Sequence, residues 1–243
     1  LESNDTSVGV SHAPYTTAEQ IAMDIESFLN SPDFKKKNPF VGTDIKVMVV
    51  ALKDSVDVTI CIPFIGKWTP TLKFYKEKII FLEEIIISIV KRVVDTEKIN
   101  VSINNRDVID LNEIYLTAIG SSIESGDEGL VGRGNRTNGT INFTHYMSLE
   151  AANGKNPIYH IGKVYSVLSQ LIADEIFKRE KTPVSVHLVS QTGHDLQDPW
   201  YCIVSVPDKS RLNEKVIENI VNEVLLNAPE ISLNIINGQY RLV

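Results

Sequence analysis

Ile45–Leu52 (IKVMVVAL), Lys53–Ser55 (KDS), Val56–Phe64 (VDVTICIPF) and Thr71–Val94 (TLKFYKEKIIFLEEIIISIVKRVV) decide the reading of the fold. The first and third stretches are rich in β-branched residues and are separated by a short polar break, the signal of a hairpin. The fourth is too rich in Ile, Phe, Leu and Val for a narrow stripe, so it predicts a long helix with a broad buried face. Upstream, Thr16-Thr17-Ala18-Glu19 is a capping-box pattern. It opens a helix from about Ala18 to Leu29 with Ile21, Ala22, Ile25, Phe28 and Leu29 on one side. Lys35–Lys37 reads as a solvated charge run. Two further strands are expected at Asn100–Ile103 and Glu113–Ile119. The order then returns, with a helix over Ile161–Arg179, strands at Val184–Val189 and Tyr201–Val206, and a helix over Leu212–Leu226. A short strand-like end, Ile231–Val243, completes the chain. Strand pairs alternating with helices, twice over, imply an α+β chain of two related units, each sheet covered by helices on one face. The expected partition is a central unit with an opening loop over 1–120, a glycine-rich region over 121–160 and a C-terminal unit over 161–243.

Composition narrows the function. The 243 residues are 43% hydrophobic and 23% charged, which is globular, and the formal charge is -7. A surface of that sign repels nucleic acid and anionic membrane, so neither is an expected partner. The most apolar run, Ile79–Val90, carries Glu83 and Glu84 and is too short to span a bilayer. The chain opens on Leu1 and ESNDTS, with neither a basic nor an apolar leader segment, and the expected compartment is the cytoplasm. Cys61 and Cys202 sit in apolar strand-like runs and read as reduced core residues. His12, His145, His187 and His194 have no metal-ligand spacing with each other or with the cysteines, so no zinc site is expected. Glycosylation patterns at Asn4, Asn138 and Asn142 lack a supporting secretory signal.

Gly120–Tyr146 stands apart as a long Gly/Asn/Ser/Thr-rich stretch with little apolar periodicity, where function is expected to concentrate. No acidic residue lies between Leu130 and Leu149, while Arg133 and Arg136 lie inside that interval and Lys155 and Lys163 follow it. Glycines, among them Gly132 and Gly134, let a backbone approach a ligand and turn its N–H groups toward it. Arg supplies a planar fork for phosphate oxygens and Lys a point charge. The set fits a polyphosphate; a solvated surface loop fits the residues alone equally well. Asn153-Gly154-Lys155-Asn156-Pro157 precedes the helix expected from Ile161, and an anion there could use both Lys155 and the helix N-terminus. An ordinary turn is the competing reading. Asp127 suits a substrate amine, a ribose hydroxyl or a phosphate-bridging Mg²⁺, and equally a turn. Asp5 permits the same readings, and His160 adjoins the proposed anion site.

In order along the chain, NDTSVGVSHAP (4–14), FKKKNPFVGTDIKVM (34–48), GDEGLVGRGNRTNG (126–139), MSLEAANGKNP (147–157) and HIGKVY (160–165) resemble the signature runs of archaeal-type S-adenosylmethionine synthetases. The resemblance covers almost the whole chain and implies the synthesis of S-adenosylmethionine from ATP and L-methionine. In that chemistry the methionine sulfur attacks the ribose 5′ carbon and expels tripolyphosphate, which is then hydrolysed to pyrophosphate and phosphate. Mg²⁺ on the phosphates and, in many members, K⁺ are the implied cofactors, and a homodimer with active sites between subunits is the implied assembly. Carried over by position, the opening loop becomes substrate-binding. Asp5 and Asp127 contact methionine or nucleoside, and Arg133 and Lys155 bind the polyphosphate. Arg136 and His160 are secondary substrate contacts, with Gly132, Gly134 and Gly154 lining the nucleotide. The resemblance leaves the metal ligands unassigned. Family members are longer, with a preceding region that supplies a third related domain, so the chain is expected to represent the central and C-terminal portion and to be weak or inactive alone. A non-catalytic, nucleotide-binding or regulatory relative is the alternative. Asn4 stands where the family has a carboxylate, and Ser11-His12 where Gly-Tyr is usual.

Overall fold

The computed structural model describes residues 2–121, 138–142, 144–148, 152, 155–208, 213–240 and 242. The chain falls into two compact units, Thr16–Gly129 and the combination of Leu1–Tyr15 with Leu130–Val243. Both are α+β.

In Thr16–Gly129, helix α1 (Thr17–Leu29) begins with the expected capping box. Glu19 N–H donates to Thr16 Oγ1 at 3.2 Å, and Thr16 N–H donates to Glu19 Oε2 at 2.9 Å. Ile21, Ile25 and Leu29, each one turn apart, are fully buried. Lys35–Lys37 forms the last turn of a short helix α2 (Pro32–Lys37), with Lys36 and Lys37 solvated as expected. Lys35 is half-buried, and its ammonium donates to the carbonyls of Val41 (3.1 Å) and Gly42. Strands β2 (Lys46–Ala51) and β3 (Val56–Cys61) form the predicted hairpin, pairing Met48 with Thr59 and Val50 with Asp57. The short β4 (Phe64–Ile65) leads into α3 (Leu72–Val93), which carries the chain across to β5 (Ile99–Ile103), parallel to β3. That is the helical crossover a parallel pair requires. Val56, Val58 and Ile60 alternate inward to meet Ile21, Ile25, Tyr75, Leu82 and Ile86 in one core. Of the strand expected over Glu113–Ile119, Leu116–Thr117 forms β6, paired with β4, and Glu113 makes a separate antiparallel bridge to Val108.

The other unit contains a strand, β1 (Val8–Ala13), within the expected opening loop. Its sheet runs β1-β7-β8, antiparallel throughout, with β7 at Val184–Val189 and β8 at Tyr201–Ser205. Helix α4 (Ile161–Glu180) lies across β1 at close range: Ser11 Oγ donates to Ser166 O (3.2 Å) and Gln170 Nε2 to His12 O (3.0 Å). The approach requires glycine at position 9, since a Cβ there would lie 2.5 Å from the Tyr165 carbonyl carbon. Gly9→Ala is therefore expected to cost about 1–3 kcal/mol by forcing strand and helix apart, readable as a lower urea midpoint for this unit.

Helices α5 (Glu214–Leu226) and α6 (Ala228–Ile236) complete the layer. The strand-like reading of Ile231–Val243 is thus corrected. Ala228, Ile231, Ser232 and Ile235 are buried at helical spacing, whereas Leu233 and Ile236 are exposed. The two units share a helix–hairpin–helix order, α1-β2-β3-α3 and α4-β7-β8-α5. Their third strands sit on opposite edges: β5 beside β3, and β1 beside β7. Because β1 pairs with β7, residues 1–15 group with the C-terminal unit and not, as the expected partition has it, with residues 16–120.

Burial holds the Lys35 ammonium down at about 8, with Glu26 partly opposing the shift. The folded chain therefore binds this proton less tightly than the unfolded chain. The stability it contributes is present above the ordinary lysine value of 10.5 and is lost as pH falls toward about 8. Urea midpoints should rise between about pH 8 and pH 10.5, and Lys35→Met should flatten that rise.

Candidate active site

The start of α4 gathers three sequence-predicted residues. His160 is the N-cap, its backbone extended (φ -76°, ψ 121°), and its Nδ1 accepts from the Gly162 N–H at 3.1 Å. With Nδ1 an acceptor, Nε2 is the donor nitrogen of the neutral ring. The Ile161 N–H donates to Asn4 Oδ1 at 3.3 Å, and those of Lys163 and Val164 donate to the His160 carbonyl at 3.1 and 2.9 Å. With the His160 N–H donating to Asn156 O at 3.2 Å, the four amide donors a helix leaves open at its start, those of residues 160–163, are already committed within the chain. An anion here meets side-chain cations and the helix dipole, not bare N–H groups, which refines the expectation that it uses the N-terminus directly.

Lys155 is exposed, and its carbonyl accepts from Lys163 Nζ at 2.8 Å. Lys163 is partly buried, and desolvation lowers its pKa. The contact places two lysines beside the His160 cap, with Asn4 reaching the same helix end from the start of the chain. Asp5 follows Asn4 and is exposed; one carboxylate oxygen accepts the Thr6 N–H at 2.7 Å. Its carbonyl accepts from Ser3 Oγ and Ser190 Oγ, both at 2.7 Å. Ser3 N–H to His194 O (2.8 Å), Gly193 N–H to Ser3 O (2.9 Å) and Ser190 N–H to Ser7 O (2.8 Å) extend the β1–β7 pairing through the opening residues. Asp5 is therefore presented from a segment tied to a sheet.

Lys155, His160 and Asp5 accordingly stand in one region of the described structure. Asp127, Gly132, Arg133, Gly134, Arg136 and Gly154 lie outside the described residues. Sequence reasoning missed the role of Asn4; Lys163 it counted among the cations, without its contact to the Lys155 carbonyl. Asn4 reads as a lost carboxylate, yet its amide oxygen accepts the Ile161 N–H at the start of α4, a long-range contact with no local sequence signal. Elsewhere in this unit, His12 stacks on His145 with centroids 4.0 Å apart, and Tyr146 meets His187 edge-on at 5.4 Å. Among the described residues, no three His, Cys, Asp or Glu side chains are grouped to hold a metal, and no helix is long and apolar enough to cross a membrane.

Residues 1–239 match the S-adenosylmethionine synthetase (AdoMet synthetase) family. A probable S-adenosylmethionine synthase of Aquifex aeolicus is 41% identical over 241 residues, which cover 98% of this chain and 60% of that protein. An S-adenosylmethionine synthase of Pyrobaculum neutrophilum is 38% identical over 244 residues, covering 98% of this chain and 61% of its own length. The chain thus spans about three fifths of the curated relatives it matches. Among solved structures, an unusual S-adenosylmethionine synthetase from Campylobacter jejuni aligns with a TM-score of 0.57 at 14% identity, over 95% of this chain and 65% of that one. That last likeness is one of fold.

Proposed function

We propose, from the premise that this chain belongs to the S-adenosylmethionine synthetase family, that its activity is the synthesis of S-adenosylmethionine from ATP and L-methionine. The observation that carries the reading is the meeting of Lys155, Lys163 and His160 with the Asn4–Asp5 segment at the start of α4. The methionine sulfur lone pair forms a bond to C5′ as the C5′–oxygen bond breaks, and the electron pair leaves with the tripolyphosphate. A thioether needs no base to become a nucleophile. What the reaction needs is cationic charge where negative charge accumulates, together with in-line placement of sulfur and carbon. Lys155 and Arg133 supply the charge, assisted by Arg136. Asp5 and Asp127 orient methionine or the nucleoside. His160 holds the helix end and offers its Nε2 donor, and Gly132, Gly134 and Gly154 let the backbone lie close to the nucleotide. Hydrolysis of the tripolyphosphate to pyrophosphate and phosphate follows at the same cations.

Mg²⁺ bound to phosphates draws only one or two carboxylates from a protein, and the exposed Asp5 meets that need. When bound, the ion neutralises phosphate charge; K⁺ is proposed as an assisting ion. A homodimer in the cytoplasm is the proposed assembly. In support, each sheet presents apolar side chains on the face turned from its helices: Met48 and Val50 on β2, Tyr201 and Ile203 on β8.

The test is incubation with ATP, methionine, Mg²⁺ and K⁺, following S-adenosylmethionine, pyrophosphate and phosphate. Equal amounts of all three are expected. ATP binding without S-adenosylmethionine would favour a non-catalytic, nucleotide-binding relative instead.

A further inference from the structure

In the unit that joins Leu1–Tyr15 to Leu130–Val243, the two faces of the sheet differ. Gly9, Ser11 and Ala13 of β1 turn toward α4 and its core, as do Val184, Val186 and Leu188 of β7. Alternation therefore puts His12 and His187 on the opposite face. The described residues of 138–148 run along that face. Asn138 Nδ2 donates to Tyr15 Oη at 2.9 Å, just past the end of β1, and Ser148 Oγ donates to Val8 O at 2.7 Å, at its start. Between these ends, Asn142 holds a turn, its Oδ1 accepting from the Thr144 N–H and Oγ1 at 2.9 and 2.6 Å. His145 then lays its ring on His12, with centroids 4.0 Å apart and planes 3° from parallel, and Tyr146 meets His187 edge-on at 5.4 Å.

Two parallel imidazoles at that distance tolerate one proton between them far better than two. His12 is 2% exposed and His145 half-buried, so water screens a repulsion between two imidazolium rings poorly. The elements packed against the pair bring Tyr15, whose ring meets His12 edge-on at 5.9 Å, Asp174 from α4, and His187 from β7. Desolvation raises the Asp174 carboxyl, while Gln170 and the His12 charge oppose that shift. One carboxylate offsets one imidazolium and leaves the second uncompensated. Desolvation also lowers the pKa of His187, which keeps it neutral where the pair titrates.

We propose that His12 and His145 form a proton-operated latch, which holds the 138–148 segment on the sheet while the pair carries at most one proton and releases it when a second binds. The inference stands apart from the catalytic reading and needs no substrate. Its sign follows from linkage. The released segment carries both protons below the ordinary histidine value of about 6.5, whereas the seated one carries a single proton. Release is therefore favoured by up to about tenfold for each pH unit below that value.

Hydrogen exchange of the full chain between pH 5 and pH 8, corrected for intrinsic rates, tests the latch. Protection over 138–148 should fall by up to about tenfold per pH unit below about pH 6.5, while that of β7 is kept. His145→Phe keeps a ring and removes the charge, so its protection should stay level. His187→Gln should show the wild-type fall, which separates the pair from the Tyr146 contact. Level protection in wild type, an unchanged fall in His145→Phe, or a fall lost in His187→Gln overturns the latch. Should His145→Phe fail to fold by circular dichroism, His12→Phe carries the same readings. Nuclear magnetic resonance titration of the wild-type histidines needs no variant: the stacked rings should take up protons in two separated steps, and coincident steps at the ordinary value overturn the proposal.

Discussion

Arg133→Ala is expected to lower S-adenosylmethionine formation by about a hundredfold or more, the usual cost of removing a donor aimed at developing charge. The physical reason lies in the leaving group. In the proposed reaction, C5′–oxygen cleavage moves charge onto a tripolyphosphate that is already anionic, so a guanidinium held against it would stabilise the transition state more than the bound substrate. The loss should therefore appear chiefly in kcat, with KM for methionine little changed, and in steady-state kinetics Arg133→Lys should recover only part of it. A lysine keeps the charge and gives up the fork that matches two phosphate oxygens. Near-normal turnover of Arg133→Ala would remove this residue from the mechanism.

Leu168→Ala carries the largest expected effect on stability. Leu168 is fully buried on α4, in the core that also takes Ile172, Val186, Leu188 and Ile220. Removing its branched side chain leaves a cavity that helix and sheet close only in part, at a cost of about 2–5 kcal/mol in urea unfolding. The change also bears on the site. Helix α4 carries His160 and Lys163 at its start and packs on β1, which follows directly from Asn4 and Asp5. Loosening α4 should weaken ATP binding before it abolishes the fold, an order readable by titrating ATP at increasing urea.

The parts of the fold legible in sequence are those whose signals are local. Thr16 and Glu19 lie three residues apart and specify the start of α1 without help from the rest of the chain. The β2–β3 hairpin and the long α3 follow from adjacent runs. The illegible strand, β1, pairs with residues more than 170 positions away, Val8 with Val189 and Ala13 with Val184. Its sequence, VGVSHA, owes a glycine to Tyr165 and a serine to Ser166, not to strand propensity. In α6, Ile231, Leu233 and Ile235 alternate as a strand would, while Ala228, Ile231, Ser232 and Ile235 follow a helix; only burial decides between the two periods. The site divides in the same way. Lys155 and His160 are legible because they sit in a turn just before a helix. Asn4 is not, because its partner, the Ile161 N–H, becomes its neighbour only once β1 has joined the sheet.

The account depends most on lysine and arginine side chains gripping a tripolyphosphate. Calorimetric titration with inorganic tripolyphosphate and Mg²⁺ tests that grip apart from turnover. Wild type should bind, and Lys155→Met and Arg133→Ala should each bind on the order of tenfold or more weakly. Equal affinity in all three proteins would contradict it.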